Sequence, residues 1–187
     1  SGWKIEKVSD RKVRDEWKPL WGKRAVVEDH FNELVIDLVN PAGQPERMQL
    51  VVRGYNDGFA FCYKIPDGEG PRVNVQSELT AYNFAGDYTA WFYNGENHNI
   101  GPEKLTETDG TRLPVMTVKA GDKHYMAIHE ACLETGAPLV LQSKGGESLF
   151  SVASKPTSLS PGYTSAWRVV LYGTTPGVAE SGSRLSL

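Results

Sequence analysis

Short apolar runs separated by glycine and proline set the pattern of this chain, and within them hydrophobic and polar positions alternate with a period of two. From Asn32 the alternation puts Leu34, Ile36 and Leu38 on one face and Glu33, Val35 and Asp37 on the other, until Pro41-Ala-Gly-Gln-Pro45 stops it. Comparable runs cover Met48 to Gly54, Gly58 to Ile65, Arg72 to Phe84, Tyr88 to Tyr93, Leu113 to Lys119, His124 to Leu133, Pro138 to Ser143, Leu149 to Ser154 and Ser165 to Tyr172. About ten strands are predicted. Turn chemistry lies between them, with Tyr55-Asn-Asp-Gly58 as a hairpin turn, Pro66-Asp-Gly-Glu-Gly70 as a looser one and Ala120-Gly-Asp-Lys123 as a third. The expected fold is all-β, a two-sheet antiparallel sandwich over residues 1–176, because no repeat of 30 to 50 residues supports a propeller or solenoid. Residues 177–187, rich in glycine and serine, read as a boundary or linker segment.

Composition narrows the function classes. A chain of 187 residues with 40% apolar side chains can build one packed core, which excludes intrinsic disorder. The net charge of −3 gives no basic field for nucleic acid or an anionic membrane, and no apolar run is long enough to span a bilayer. Neither nucleic acid nor membrane is an expected partner. The first residues carry no signal-peptide h-region and no initiator Met, so the chain is expected to be either a processed product or a piece of a longer gene product, and its location is not readable from it. Cys62 and Cys132 read as two small buried thiols, with a single disulfide as the alternative.

Three residues are out of place in a plain core. In the strand from His124, alternation aligns Met126, Ile128, Glu130 and Cys132 on one face and Tyr125, Ala127, His129 and Ala131 on the other, so both faces are apolar and both should be covered. Glu130 in that file needs a cation, a metal or several donors. An arginine partner is the structural reading and a metal the functional one, while His129 reads as a hydrogen-bonded structural histidine. Arg168, in line with Ala166, Val170 and Tyr172, and Arg53, in Met48-Gln-Leu-Val-Val-Arg-Gly-Tyr55, pose the complementary problem, and Glu78 or Glu130 could answer either. The cluster His98, Glu103, Glu107 and Asp109 lacks a calcium-loop pattern and reads as solvated surface. Signatures of serine hydrolases, zinc proteases, nucleotide loops and dinucleotide sites are absent from the sequence. Trp91, Tyr93, Trp167 and Tyr172 pack in a core or, if exposed in a row, stack on sugars.

Four segments, in order, resemble the N-terminal domain of glycoside hydrolase family 97. They are Trp21-Gly-Lys-Arg-Ala-Val-Val-Glu-Asp-His-Phe-Asn-Glu-Leu34, Val52-Arg-Gly-Tyr-Asn-Asp-Gly-Phe-Ala-Phe61, Ile128-His-Glu-Ala131 and Ala166-Trp-Arg-Val-Val170. The resemblance covers nearly the whole chain, and the second segment is its most specific part. It implies a galactose-mutarotase-like β-super-sandwich that serves a calcium-dependent α-glycosidase of α-glucosides or α-galactosides. The catalytic carboxylates would then reside in a (β/α)8 barrel outside this chain, and the sandwich would pack on that barrel and contribute one calcium ligand, here Glu130. A periplasmic or secreted location is also implied. Members are expected to carry further strands ahead of the tryptophan segment, so the sandwich is expected either to lack opening strands or to have them in another chain, and an incomplete sandwich would self-associate through exposed edges and apolar patches. Cys62 stands where a more polar residue is expected and Gly54 where alanine is. The competing readings are a free-standing carbohydrate-binding module using exposed Trp and Tyr, and a mutarotase-like enzyme built on a His and Glu pair.

Overall fold

The computed structural model describes residues 2–18, 20, 25–93, 95, 99–134 and 137–178. Within them the chain is an all-β sandwich. The strands are β1 (Lys4–Trp17), β2 (Val27–Val39), β3 (Arg47–Tyr55), β4 (Gly58–Lys64), β5 (Val73–Val75), β6 (Ala81–Asn83) and β7 (Thr89–Tyr93). They continue as β8 (Asn99–Lys104), β9 (Asp109–Lys119), β10 (Tyr125–Ala131), β11 (Leu141–Lys144), β12 (Leu149–Val152), β13 (Thr157–Leu159) and β14 (Trp167–Gly173). One sheet runs β1-β2-β3-β4-β14-β10-β9-β11-β12-β6 with β7 and β8 attached beside β9, and a second sheet pairs β13 with β5. Their pairings are antiparallel.

Strand β9 turns the large sheet over on itself. Its second half pairs with β10 through Met116↔Ile128, and its first half pairs with β11 through Arg112↔Leu141. The two wings meet in one core, where Ile128 of β10 and Met116 of β9 join Leu141, Phe150 and Val152, and the Phe92 and Phe150 rings lie 5.7 Å apart. A second core occupies the opposite face of β10 and gathers Ala127, Val51, Ala60, Cys62, Trp167, Val169 and Leu171, with Val178 capping it. Strand β10 is therefore covered on both faces, which is why its sequence is apolar on both. The β3–β4 turn fits the close approach of β14, since a Cβ on Gly58 would stand 2.2 Å from the Val170 carbonyl oxygen.

Several expectations need correction. Strand β1 escapes the alternation pattern, because Lys4–Trp17 is dense in charge and shows no sustained apolar face. It forms by main-chain pairing with β2 from Lys4↔Val39 to Trp17↔Val27 and leaves nearly all its side chains exposed. At least one opening strand thus precedes the tryptophan segment, whose Trp21 to Arg24 lie outside the described residues. The single run Arg72 to Phe84 divides into β5 and β6, which pair with β13 and β12 respectively. Strand β8 is hidden in the sequence by Gly101-Pro102, and β13 by its three-residue length. Cys132 is exposed rather than buried, because the chain leaves β10 there at φ 55°, and both cysteines are free. Burial pushes the Cys62 thiol up to about 11. Of the linker segment, residues 179–187 lie outside the described residues.

Candidate functional site

Register assembles the charged residues. One row crosses the sheet through Leu34↔Val52, Val52↔Phe61, Phe61↔Arg168 and Arg168↔Glu130, so these five side chains share a face. Between β5 and β6 the chain leaves both ladders, and the Glu78 N–H donates to Ser154 Oγ at 2.7 Å. That departure lets the Glu78 carboxylate reach Arg168. The guanidinium donates to Glu78 through Nε at 3.0 Å and Nη2 at 2.6 Å, a two-point pairing, and its side chain is 3% exposed. Burial alone would weaken its charge, but Glu78 overrides that and raises its pKa further.

Glu130 meets the same guanidinium at longer range, Arg168 Nη1 to Oε2 being 3.7 Å, and its Oε2 also accepts the Leu139 N–H at 2.5 Å. Burial raises its pKa, a shift that the Leu139 N–H and the Arg168 charge reduce without cancelling. Two buried polar atoms in this neighbourhood, Arg168 Nη1 and Tyr82 Oη, make no hydrogen bond. The donor set can therefore offer a hard cation one carboxylate, Glu130, since both oxygens of Glu78 are committed to Arg168. Among the described residues no group of three or more His, Cys, Asp or Glu side chains forms a metal cage.

Arg53 belongs to a different constellation on the opposite face. Its Nε donates to Glu33 Oε2 at 2.9 Å, and its guanidinium carbon lies 4.4 Å from the Phe31 ring centre and 4.6 Å from that of Trp167. Its carboxylate is thus Glu33, and neither Glu78 nor Glu130, because β2 and β3 place Glu33 directly opposite. Burial would raise the Glu33 pKa, but hydrogen bonds from Arg11 and Arg53 overcome it and hold the carboxyl below the usual range. Sequence reasoning singles out neither Glu33 nor the ring pair around Arg53, although Arg and Glu at facing positions of two adjacent strands were a usable signal.

The other candidates do not converge. His129 Nδ1 is buried without a hydrogen bond, contrary to the expected hydrogen-bonded histidine, and burial lowers its pKa. Glu103 pairs with Arg112 at 3.2 Å and accepts from Thr108, while His98 lies outside the described residues. Trp167 is buried under Arg53, whereas Tyr93 and Tyr172 are exposed on separate strands, so the four aromatic residues form no single platform.

The family profile described as "Glycosyl-hydrolase 97 N-terminal" matches residues 1–182. Among solved structures, a glycoside hydrolase family 97 enzyme from Pseudoalteromonas sp. strain K8, in complex with acarbose, superposes with a TM-score of 0.80 at 24% identity, covering 93% of this chain and 28% of that one. A single-substitution form of a family 97 enzyme from the same strain, in complex with panose, gives the same values. A β-arabinopyranosidase superposes with a TM-score of 0.78 at 18% identity, over 92% of this chain and 32% of its own. The chain spans about a third or less of the structures it matches.

Proposed function

Because the chain belongs to the glycosyl-hydrolase 97 N-terminal family, we propose that it is the non-catalytic β-sandwich of a calcium-dependent α-glycosidase acting on α-glucosides or α-galactosides. In this reading it packs on a catalytic (β/α)8 barrel of the same protein and lends Glu130 to a shared calcium ion. The protein would work in the periplasm or outside the cell.

The observation that carries the reading is the setting of Glu130. Its carboxylate is nearly buried at the end of β10, is anchored through one oxygen by the Leu139 N–H, and is only loosely held by an arginine already paired with Glu78. Such a group is under-neutralised, which suits a ligand awaiting a cation. Calcium takes roughly 6–8 oxygens, so the remaining ligands must come from elsewhere in the enzyme. When bound, the ion would supply a fixed positive charge near the substrate. What the chain's own residues do is narrower: the Leu139 N–H and Arg168 orient Glu130, and Glu78 keeps Arg168 from neutralising it fully.

Two measurements test this. This chain alone should not hydrolyse nitrophenyl α-glucoside or nitrophenyl α-galactoside, with calcium or with chelator; calcium-dependent turnover by the chain would overturn the division of labour. In an enzyme carrying this domain, Glu130→Gln should shift calcium activation to higher concentration. An unchanged response to chelator titration removes Glu130 from the metal site.

A further inference from the structure

Arg168 has one carboxylate beside it in the sheet and a second in the layer above, and it answers the second. In the row across β4, β14 and β10 its neighbours are Phe61 on one side and Glu130 on the other. Facing positions of paired strands bring side chains to about 5 Å, so register alone assigns it to Glu130. The guanidinium nevertheless gives both Nε and Nη2 to Glu78, while Nη1, buried and without a hydrogen bond, stops 3.7 Å from Glu130 Oε2. A planar guanidinium whose Nε–Nη2 edge is fixed by one carboxylate cannot carry Nη1 closer to another without disturbing that pair. Glu130 is in turn drawn aside by the Leu139 N–H, which donates to the same Oε2.

Glu78 wins this competition because the main chain beneath it is tied down. Its own N–H donates to Ser154 Oγ at 2.7 Å, and two residues on, the Thr80 carbonyl accepts the Val152 N–H at 2.9 Å while Thr80 Oγ1 lies 3.1 Å from Tyr63 Oη. The segment between β5 and β6 is thereby fastened to β4, to β12 and to the residues just after β12. Among the described residues Arg168 is the only cation paired with either carboxylate, so with both acids ionised the group carries one surplus negative charge, and the geometry leaves that surplus on Glu130.

We propose that Glu78 is a positioning residue that sets the cation affinity of Glu130 by holding Arg168 away from it. The proposal rests on the glycosidase reading above and adds to it a residue that does not touch the ion, since both of its oxygens are committed to Arg168. With Glu78 made neutral, Arg168 keeps its charge and has one carboxylate left to pair with, Glu130, whose Oε2 lies about 1 Å beyond hydrogen-bonding distance. A closed Arg168–Glu130 pair occupies the carboxylate and cancels the charge that a cation needs. Residues that orient a ligand from behind commonly change metal affinity by about 10–100-fold.

Calorimetric titration of calcium into an enzyme carrying this domain tests it, with circular dichroism to confirm that each variant is folded. Glu78→Gln should raise the calcium Kd by about tenfold or more. Adding Arg168→Met to Glu78→Gln should bring the Kd most of the way back, because the cation that closed on Glu130 is gone. A merely structural role for the pair predicts the reverse, since the double variant loses more contacts than the single one. Should Glu78→Gln fail to fold, Ser154→Ala, which removes only the acceptor of the Glu78 N–H, should shift the Kd in the same direction by less. Glu130→Gln separates the two levels of the argument. If it weakens calcium binding while the folded Glu78 variant, or Ser154→Ala in its place, keeps the parent Kd, the role of Glu78 is overturned and the calcium site stands. A double variant that binds no better than Glu78→Gln overturns that role too. Calcium binding unchanged in Glu130→Gln overturns the glycosidase reading of this site and the proposal with it.

Discussion

The two ends of one residue row behave in opposite ways. At the β10 end the row holds Glu130 and Arg168, charged groups that are shielded from water; at the β2 end it holds Leu34, an apolar residue left partly exposed. Hydrophobicity therefore does not decide burial along this row. The layer above it does: the segments carrying Leu139, Tyr82 and Glu78 lie over one end, and among the described residues nothing comparable lies over the other. The covered end meets its charge by pairing, and the open end keeps an apolar surface available.

The largest effect should come from the covered end. Phe150, fully buried against Phe92 and Phe84, should cost about 3–5 kcal/mol when changed to alanine, measured by urea unfolding. Arg168→Met should follow at about 3 kcal/mol, because it leaves Glu78 and Glu130 without their shared cation. Adding Glu78→Leu to that variant should recover part of the loss, and a double variant worse than the single one would show that the pair is not the coupled unit.

On the opposite face, Glu33 sharpens the comparison through pH. Its native carboxyl pKa lies below the unfolded value of about 4.3, so its stabilisation is full above that value and is lost as pH falls through the lower native one. Glu33→Gln should thus be less stable than the parent at neutral pH, by about 1–2 kcal/mol, with the two converging under acid in paired urea titrations. A gap that persists at low pH would mean that packing, and not ionisation, is what Glu33 contributes. The smallest effect belongs to the open end: Leu50→Ala should change the stability of the dilute chain by about 1 kcal/mol or less. A loss as large as that of Phe150→Ala would mean that the face is covered after all.

Much of the fold was legible because burial leaves a period-two trace. Strands β2, β3, β4, β7, β10 and β14 are readable from alternation or continuous apolar runs, and the turn ahead of Gly58 from Asn-Asp-Gly. Strand β1 is not, since an edge strand held by its main chain puts no constraint on side chains in water. Cys132 is exposed against expectation because one residue beyond a strand end has no alternation to obey.

The candidate site divides in the same way. Sequence alone determined that Glu130, Arg168 and Arg53 stand in apolar files and so require partners, because an unpaired buried charge is too costly to keep. It also determined the β class, because alternation is a local property of the chain. Which partner each charge takes was decided only by the tertiary structure: Glu78 and Arg168 lie 90 residues apart, and register with the excursion between β5 and β6 brings them together. The tertiary structure likewise decided which apolar face is covered, because the residues of a strand specify that a face can be buried, while the layer that buries it comes from distant parts of the chain.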